Sequence, residues 1–407
     1  LEQLRKEFKI LDKSLSSLKK KKLFNKLANN NITVGRSHGQ TKKCTELGLI
    51  ERITSQKMPR IKLRELIKKS SQALLDMKPC FIMSPTVLSE LVVAQEDFFD
   101  LLIIDEASQM RMEDSICALA RSKQCVIVGD QQQLPPSNQF NANTDDDEDE
   151  ENDLVEESIL DLANSRFKAN RLLKWHYRSR HQSLIDFSNH HFYQNQLIIP
   201  PSPVTTSAVT TSKVDAYYKG KINIQEKDKL IKDLIPFMSA NIRKGDGDKK
   251  SKSCLIVTMN IFQAESIEDD LNKRKLEHPI IEEYENSWKD TGEEFTVKNL
   301  ESVQGDERDV IFISTIFGPE GPGMKTKQTF GPINNKGGQR RLNVLFTRAR
   351  QNLNLYTSLS SNDIQSEGAP EGRQIFKAYL EYAKTGKIEA GDTSTGREPP
   401  NDFQLFI

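Results

Sequence analysis

The sequence predicts an α/β protein with two units built on parallel sheets and a helical region at the N-terminus. Short apolar runs recur along the chain between stretches with helical periodicity, as in sheets that are buried on both faces. The acidic run at 145–151 divides these runs into two groups. The length of 407 residues is sufficient for two or three domains, each with a core of its own.

The N-terminal region is predicted to be helical over two stretches. Apolar residues recur every three or four positions from Leu4 to Leu18, which predicts an amphipathic helix. A second helix is predicted over Arg60–Met77. It ends before Pro79 because a proline disfavours helical backbone in the residue that precedes it.

The apolar runs predict the buried strands of two sheets, because they are short and end at polar or glycine residues. In the first group the predicted strands are Cys80–Met83, Asp100–Ile104 and Cys125–Val128, with a helix at Met112–Arg121. In the second group they are Ser253–Thr258, Val310–Thr315 and Leu353–Ser358, with helices at Ser266–Lys275 and Gly338–Arg350.

The net charge of zero conceals an asymmetry along the chain. Residues 1–78 hold 20 Lys and Arg against 7 Asp and Glu, residues 79–165 hold 3 against 20, and residues 166–407 hold 35 against 31. A basic region suits phosphate-bearing partners, although a lysine run such as Lys19–Lys22 is in isolation more often a solvated helix face. The zero net charge therefore does not exclude nucleic acid. The acidic run predicts a solvated, disordered connection.

Composition argues against a membrane span and for a reducing compartment. No apolar run reaches 18 residues. The five cysteines are scattered and none forms a C-x-x-C pair, which argues against a disulfide framework and a zinc site. We therefore expect a cytoplasmic protein without a membrane partner.

Two acidic motifs follow predicted strands of the first group. In LLIIDEASQ, residues 101–109, a strand ends at Asp105 and Glu106. At a nucleotide site the first carboxylate can hold Mg²⁺ and the second can polarise the attacking water, although two adjacent carboxylates are by themselves more often solvated helix caps. In VIVGDQQQLPP, residues 126–136, a glutamine can orient water or sense a γ-phosphate; taken alone, it is part of a polar loop.

Three further motifs lie in the second group. LLKWHYRS places Tyr177 beside Arg178, which offers an aromatic platform for a base and a cation for phosphate. SVQGDERDVIFIS, residues 302–314, is a polar loop that leads into an apolar strand. RRLNVLFTRAR places Arg348 and Arg350 two positions apart on the predicted helix, so they are expected to point in different directions. Each pattern is common on protein surfaces, and the order of all five carries the prediction.

The five motifs occur in the order of the helicase motifs of superfamily 1, and the sequence resembles the up-frameshift-like branch of that superfamily. It is similar to large bacterial members with ESIL, WHYRSRH, FSN and FY segments, which stand here at 157–160, 175–181, 187–189 and 192–193. The segment KPCFIMSP at 78–85 is similar to a family motif that touches the nucleic acid strand. The resemblance covers residues 35–390. It implies tandem RecA-like parallel sheets in two lobes, with ATP bridging them and turnover driving steps along a single strand.

The resemblance implies a nucleotide site in which each residue has its own role. Asp105 would bind Mg²⁺, and Glu106 would be the general base for hydrolysis. Gln133 would couple the γ-phosphate to strand binding. Tyr177 would stack on adenine, and Arg178 would contact the γ-phosphate.

Two further nucleotide contacts and a strand-binding surface are also implied by the resemblance. Glu307 would touch the ribose, and Arg348 would act as the arginine finger that stabilises transition-state charge. The residues expected near the bound strand are Ser84, Pro85, Thr258, Ser302 and Gln304.

The resemblance also predicts a domain organisation. The predicted domains are a helical stalk or accessory insertion of lobe one (1–78), the C-terminal part of lobe one (79–140), an acidic linker (141–165), lobe two (166–385) and a tail or linker to a further domain (386–407).

A phosphate-binding loop of the form G-x-x-x-x-G-K-[ST] does not occur in the sequence, and the glycine-rich segment Gly35–Lys42 has a different spacing. We therefore expect lobe one to be incomplete, with the loop on an N-terminal segment of the same parent protein. In large bacterial members of the family, a nuclease-like domain often follows the C-terminal end. The parent is expected to be an ATP-dependent helicase on single-stranded nucleic acid, with DNA favoured over RNA, and the isolated chain to be inactive. The alternative is a non-catalytic nucleic-acid-binding or assembly module with a degenerate helicase fold.

Overall fold

The structure of the chain is a computed structural model, and it describes residues 2–29, 35–38, 40, 43–94, 97–136, 158–168, 170–201, 204, 206–245, 247–248 and 250–388. Packing divides the chain into two units, Leu1–Val128 and Gly129–Ile407. The predicted fold class is confirmed, because both units contain parallel strands, the first sheet is the smaller one and the N-terminal region is helical. The acidic run at 145–151 lies outside the described residues, and the functional domains stay a prediction.

Five α-helices precede the first sheet among the described residues of the first unit. They are α1 (Glu2–Ala28), α2 (Glu46–Thr54), α3 (Leu63–Lys69), α4 (Ser71–Met77) and α5 (Pro85–Leu91). The first predicted helix is confirmed by α1. The stretch predicted as helical over Arg60–Met77 is helical from Leu63, but it is divided into α3 and α4 because the backbone leaves the helical region at Ser70, with φ −137° and ψ 30°.

The first sheet has two strands among the described residues. Strands β1 (Leu102–Ile104) and β2 (Cys125–Ile127) pair in parallel, and α6 (Met112–Leu119) connects them. The predicted strand at Cys80–Met83 is wrong: the structure assigns no strand there, and the side chain of Ile82 is 100% exposed. An apolar run becomes a strand only where a neighbour supplies backbone hydrogen bonds, and no described strand pairs with this one.

The second sheet has five parallel strands in the order β3-β7-β6-β4-β5. They are β3 (Val209–Lys213), β4 (Cys254–Thr258), β5 (Val297–Asn299), β6 (Arg308–Ser314) and β7 (Ala349–Thr357). The central strands β4 and β6 are buried along their whole length, as their apolar sequences predict. The edge strands β3 and β5 carry polar side chains and therefore give no apolar run in the sequence.

Helices cover both faces of this sheet. The helices of the second unit are α7 (Ile159–Arg166), α8 (Asp186–Tyr193), α9 (Ile224–Ala240), α10 (Ile261–Arg274), α11 (Ile280–Ser287), α12 (Gly338–Phe346) and α13 (Glu371–Thr385). Alternate residues of one strand enter two separate cores: Leu255 packs with residues of α8, α12 and α13, and Ile256 packs with residues of α9, α10 and α11. None of the described helices is long and apolar enough to cross a membrane.

The predicted helix Gly338–Arg350 is wrong at its C-terminal end. Helix α12 ends at Phe346 and β7 begins at Ala349. Consequently Arg348 lies in the connection between them, and Arg350 is a strand residue.

Candidate functional site

Asp105 and Glu106 lie directly after β1, at the carboxyl edge of the first sheet. Glu106 has left-handed backbone, with φ 52° and ψ 38°, a conformation that costs a residue with a side chain about 1–2 kcal/mol. The turn is fixed on two sides: the N–H of Glu106 donates to Oδ1 of Asp105 at 3.0 Å, and the N–H of Ala107 donates to the carbonyl of Val128 at 2.9 Å. Both carboxylates are exposed.

The oxygen donors at this edge fit the magnesium ion that the sequence predicts. An exposed carboxylate such as Asp105 is a hard ligand. Magnesium is usually held by one or two carboxylates together with phosphate oxygens and water, without a complete protein cage. Asp105 is therefore the residue that would hold the ion beside a nucleotide.

Ser84 and Pro85 form the N-terminal end of α5. The hydroxyl of Ser84 accepts a hydrogen bond from the N–H of Val87 at 3.4 Å, and Pro85 is the first helical residue. This is a helix cap with its preferred residue types. Ser84 is exposed and lies in the first unit with Asp105 and Glu106.

In the second unit, the WHYRS segment forms a fixed turn around His176. The N–H of His176 donates to the carbonyl of Ile198 at 3.0 Å, and its Nε2 accepts from the N–H of Ser179 at 3.1 Å. Burial, together with the charge of Arg178, lowers the pKa of His176 to about 4, so the ring is neutral and able to accept. Tyr177, the next residue, is 86% exposed.

Arg178 and Glu307 form an ion pair although they are far apart in the sequence. The guanidinium Nε lies 2.7 Å from Oε2 of Glu307, across 129 positions of the chain. Glu307 immediately precedes β6, so the pair lies at the amino edge of the second sheet. The structure thus brings together two of the predicted nucleotide-binding residues.

Arg350, for which the motifs predict no specific role, extends this cluster. Its Nη1 lies 2.8 Å from Oε1 of Glu293 and 3.8 Å from Oε1 of Glu307, and its Nε lies 3.2 Å from Oδ1 of Asp309. Carboxylates from the segment before β5 and from the start of β6 therefore surround one half-buried guanidinium at the start of β7. The available signal was the second arginine of the TRAR motif.

The predicted arginine finger Arg348 is buried, at 2% exposure. Its Nε donates to the carbonyl of Val344 at 2.8 Å, and its Nη2 donates to the hydroxyl of Thr347 at 3.0 Å. The guanidinium is thus folded back on the last turn of α12. A contact with phosphate would require a rearrangement that exposes this guanidinium.

Gln133 lies in a loop that belongs to the second unit. Its Nε2 donates to Oδ2 of Asp130 at 3.0 Å, and the hydroxyl of Tyr193 donates to the same oxygen at 2.7 Å. Asp130, which contacts the predicted sensor Gln133, and Tyr193, which contacts Asp130, have no predicted role in the sequence analysis. Asp130 could have been suspected from the GDQQQLP motif, and Tyr193 from the FY segment.

The predicted strand-binding residues of the second unit lie mainly at the opposite edge of the sheet. Thr258 ends β4 and stands in register with Asn299 at the end of β5. The amide oxygen of Asn299 accepts from the hydroxyl of Ser302 at 2.7 Å. Thr258 is buried and donates to the carbonyl of Asn260 at 2.5 Å, whereas Ser302 is exposed and Gln304 is half-buried. The second unit therefore keeps Thr258 and Ser302 at its carboxyl edge and Arg178 and Glu307 at its amino edge.

Comparisons with known proteins found two matching family models and several similar helicases. Two family models, each described as an AAA domain, match residues 3–138 and residues 204–359. An uncharacterized ATP-dependent helicase of Mycoplasma genitalium is 31% identical over 340 residues, which are 81% of this chain and 29% of that protein. Its homolog in Mycoplasma pneumoniae is 31% identical over 345 residues, or 80% of this chain and 29% of that protein.

More distant similarities extend to an archaeon and a virus. An uncharacterized ATP-dependent helicase of Methanocaldococcus jannaschii is 24% identical over 72% of this chain and 39% of its own length. The structure of the arterivirus nonstructural protein 10 (helicase) with DNA is similar at 14% identity and a TM-score of 0.33, over 72% of this chain and 51% of that one. The chain spans less than a third of the length of its two mycoplasma relatives. The two AAA domain matches and the helicase relatives together support a helicase-like family for this chain.

Proposed function

We propose that this chain is part of an ATP-dependent helicase or translocase that couples ATP hydrolysis to movement along single-stranded nucleic acid, with DNA favoured over RNA. The observation that carries the proposal is the contact between Arg178 and Glu307, which brings two of the sequence-predicted nucleotide contacts within 2.7 Å. The two residues belong to separate sequence motifs, and a chance match of both motifs would not be expected to bring them into contact.

The chemistry follows from the residue types at each position. Glu106, exposed after β1, would take a proton from the attacking water as general base. Arg178 and Arg348 would neutralise charge that develops on the transferred phosphoryl group. Magnesium, when bound at Asp105, supplies charge neutralisation at the phosphate oxygens.

The strand-binding part of the proposal rests on the carboxyl edge of the second sheet. Thr258 and Ser302 lie there, and Ser84 caps α5 in the first unit. Ser84 and Ser302 are exposed, and side-chain hydroxyls are common contacts for backbone phosphates. The basic residues of 1–78 add charge that attracts a phosphate backbone, so binding is expected to weaken as salt rises.

The proposal includes a dependence on residues beyond this sequence. A phosphate-binding loop supplies backbone amides and a lysine for the β- and γ-phosphates, and the printed sequence contains no such motif. We therefore propose that turnover requires the product of the longest reading frame that encodes this chain, called here the full reading-frame product.

Strand-stimulated ATP hydrolysis tests the proposal. The full reading-frame product is expected to hydrolyse ATP faster in the presence of single-stranded DNA, and Glu106→Gln should lower kcat about 100-fold or more, as expected for loss of a general base. Glu113→Gln, at an exposed position of α6, is the matched control and should leave kcat unchanged.

Three outcomes would contradict it. Strand binding without any hydrolysis by the full reading-frame product would favour the non-catalytic module. Fast hydrolysis by the 407 residues alone, abolished by Glu106→Gln, would contradict the dependence on a further phosphate-binding loop. Preference for RNA over DNA of equal length and sequence would contradict the choice of strand.

A further inference from the structure

Hydrogen bonds within the loop from Asp130 to Gln133 involve both its side chains and its backbone. Oδ1 of Asp130 accepts from the N–H of Gln132 at 2.9 Å, and Oδ2 accepts from Nε2 of Gln133 at 3.0 Å. The next residue, Leu134, is buried in the core that includes α8, α12 and α13. The loop is therefore an ordered part of the second unit.

Two side chains from different helices converge on this loop. The hydroxyl of Tyr193, the last residue of α8, donates to Oδ2 of Asp130 at 2.7 Å. Nδ2 of Asn343, on α12, donates to that hydroxyl at 2.9 Å and to the carbonyl of Gln132 at 2.9 Å. Asn343 is 0% exposed, so these are buried contacts in which both hydrogens of one amide are used.

The same helix leads directly to Arg348. Asn343 precedes Arg348 by five positions, and Arg348 donates to the carbonyl of Val344 on that helix. A displacement of α12 would therefore affect the loop through the hydrogen bond from Asn343 to Gln132. It would also affect Arg348 through the hydrogen bond from that side chain to Val344. Packing alone would favour an apolar residue at position 343 in the run LNVLF, because a buried amide without hydrogen-bond partners is destabilising.

We propose that Tyr193 and Asn343 are positioning residues that clamp the loop Asp130–Gln133 to α12, so that the side chains of Gln133 and Arg348 are placed together. This inference rests on the proposed function for the roles of Gln133 and Arg348, and on the geometry alone for the clamp. Burial and, as a smaller effect, the charge of Asp130 raise the pKa of Tyr193. Its hydroxyl therefore stays protonated and can donate to Asp130.

Hydrogen exchange of the 407-residue chain tests the clamp without any enzymatic activity. Tyr193→Phe removes one hydroxyl and should speed exchange of the amides of Gln132 and Gln133 about five- to tenfold, the change that loss of one buried hydrogen bond gives. Tyr356→Phe is the matched control, because its hydroxyl donates to Asp233 at 3.0 Å in the same unit, away from the loop. Equal exchange at the loop in the two variants would overturn the clamp.

Turnover by the full reading-frame product tests the consequence for Gln133 and Arg348. Tyr193→Phe and Asn343→Leu should lower strand-stimulated kcat about tenfold and leave KM for ATP within about twofold, because a misplaced transition-state contact affects kcat. They should also raise the number of ATP molecules used per nucleotide travelled, which a purely structural loss does not change. Tyr356→Phe should behave as the parent.

The outcomes separate the two proposals. If the unmodified full reading-frame product shows no hydrolysis, the proposed function fails, and hydrogen exchange still decides the clamp. If it is active and Tyr193→Phe has normal kcat and normal ATP use per nucleotide despite faster loop exchange, the clamp exists but does not position Gln133 and Arg348, and the inference is overturned.

Discussion

Arg350 donates to both carboxylate oxygens of Glu293, with Nη1 2.8 Å from Oε1 and Nη2 2.5 Å from Oε2. The two residues are 57 positions apart and are joined at the amino edge of the second sheet. Nη1 of the same guanidinium also lies 3.8 Å from Oε1 of Glu307, the partner of Arg178. Arg350 therefore bonds Glu293 directly and lies close to Glu307, the carboxylate that pairs with Arg178.

Replacement of Arg350 by lysine should destabilise the second unit. Lysine keeps the charge but lacks the planar fork that bonds Glu293 at two points and Asp309 at a third. We expect the free energy of unfolding to fall by about 2 kcal/mol, since the pair is largely but not fully buried. Urea unfolding measures this value. Lys327→Met, which removes an exposed pair with Glu320, should cost at most about 0.5 kcal/mol, and equal losses would contradict the prediction.

Glu226 should make the stability of the second unit fall as the pH rises. It is fully buried at the start of α9, where Oε1 accepts from the hydroxyl of Ser314 at 2.7 Å and from the N–H of Ile316 at 2.8 Å. Burial raises its pKa to about 7 despite these hydrogen bonds. Between its ordinary pKa near 4.5 and about 7, the folded state holds a proton that the unfolded state has lost, so stability decreases with pH over that window.

The measurement for Glu226 is a comparison of unfolding at several pH values. Relative to Glu226→Gln, the parent should lose on the order of 3 kcal/mol between pH 4.5 and 7.5, because each unit of pKa difference corresponds to about 1.4 kcal/mol. Glu282→Gln, at an exposed position of α11, controls for the loss of one carboxylate. Parallel profiles for the parent and Glu226→Gln would show that Glu226 titrates normally in the folded protein.

The sequence could predict the buried strands but not the polar networks around them. Strands β4 and β6 contain the apolar runs CLIV and VIFI because both faces of the sheet are covered, so they stand out in the sequence. Cys80–Met83 has the same composition but no described pairing neighbour, and a neighbour is not visible in a single segment. The local pattern therefore predicts which segments could form buried strands. Tertiary pairing decides which of these segments do so.

The candidate site shows the same limit. Arg178 and Glu307 were predicted from separate motifs, but their contact across 129 positions is a property of the folded chain. Arg350 was placed on a helix because the apolar run before it has helical spacing. The structure shows that α12 ends at Phe346, so only the strand geometry of β7 explains how Arg350 reaches Glu293.

His176 should make the second unit less stable as the pH falls. Burial, and then the charge of Arg178, lower its pKa to about 4 in the folded state, whereas the unfolded chain takes up a proton near 6.5. The unfolded state therefore binds more protons between these values, and the stability contributed by His176 is complete above about pH 6.5 and is lost toward pH 4. The acceptor Nε2 would also lose its hydrogen bond from Ser179.

Thermal unfolding of His176→Asn at pH 7 and pH 5 measures this effect. The asparagine oxygen can still accept a hydrogen bond but does not titrate in this range. The melting temperature of the parent should therefore fall more than that of the variant between the two pH values. An equal fall in both would contradict a buried neutral His176. Because His191 and all carboxylates are shared by the two proteins, their titration cancels in the comparison.

Tyr177 should contribute to nucleotide affinity without contributing to stability. Its side chain is 86% exposed beside the fixed turn of His176, so its removal uncovers no core. Stacking on a base is worth about 1–3 kcal/mol, so Tyr177→Ala should weaken adenine nucleotide binding by the full reading-frame product about tenfold, whereas Tyr177→Phe should preserve it. Fluorescence titration with a labelled ATP analogue measures the affinity, and the melting temperature without nucleotide should be the same for all three proteins. Loss of affinity in Tyr177→Phe would indicate a hydroxyl contact, and full affinity in Tyr177→Ala would place the adenine elsewhere.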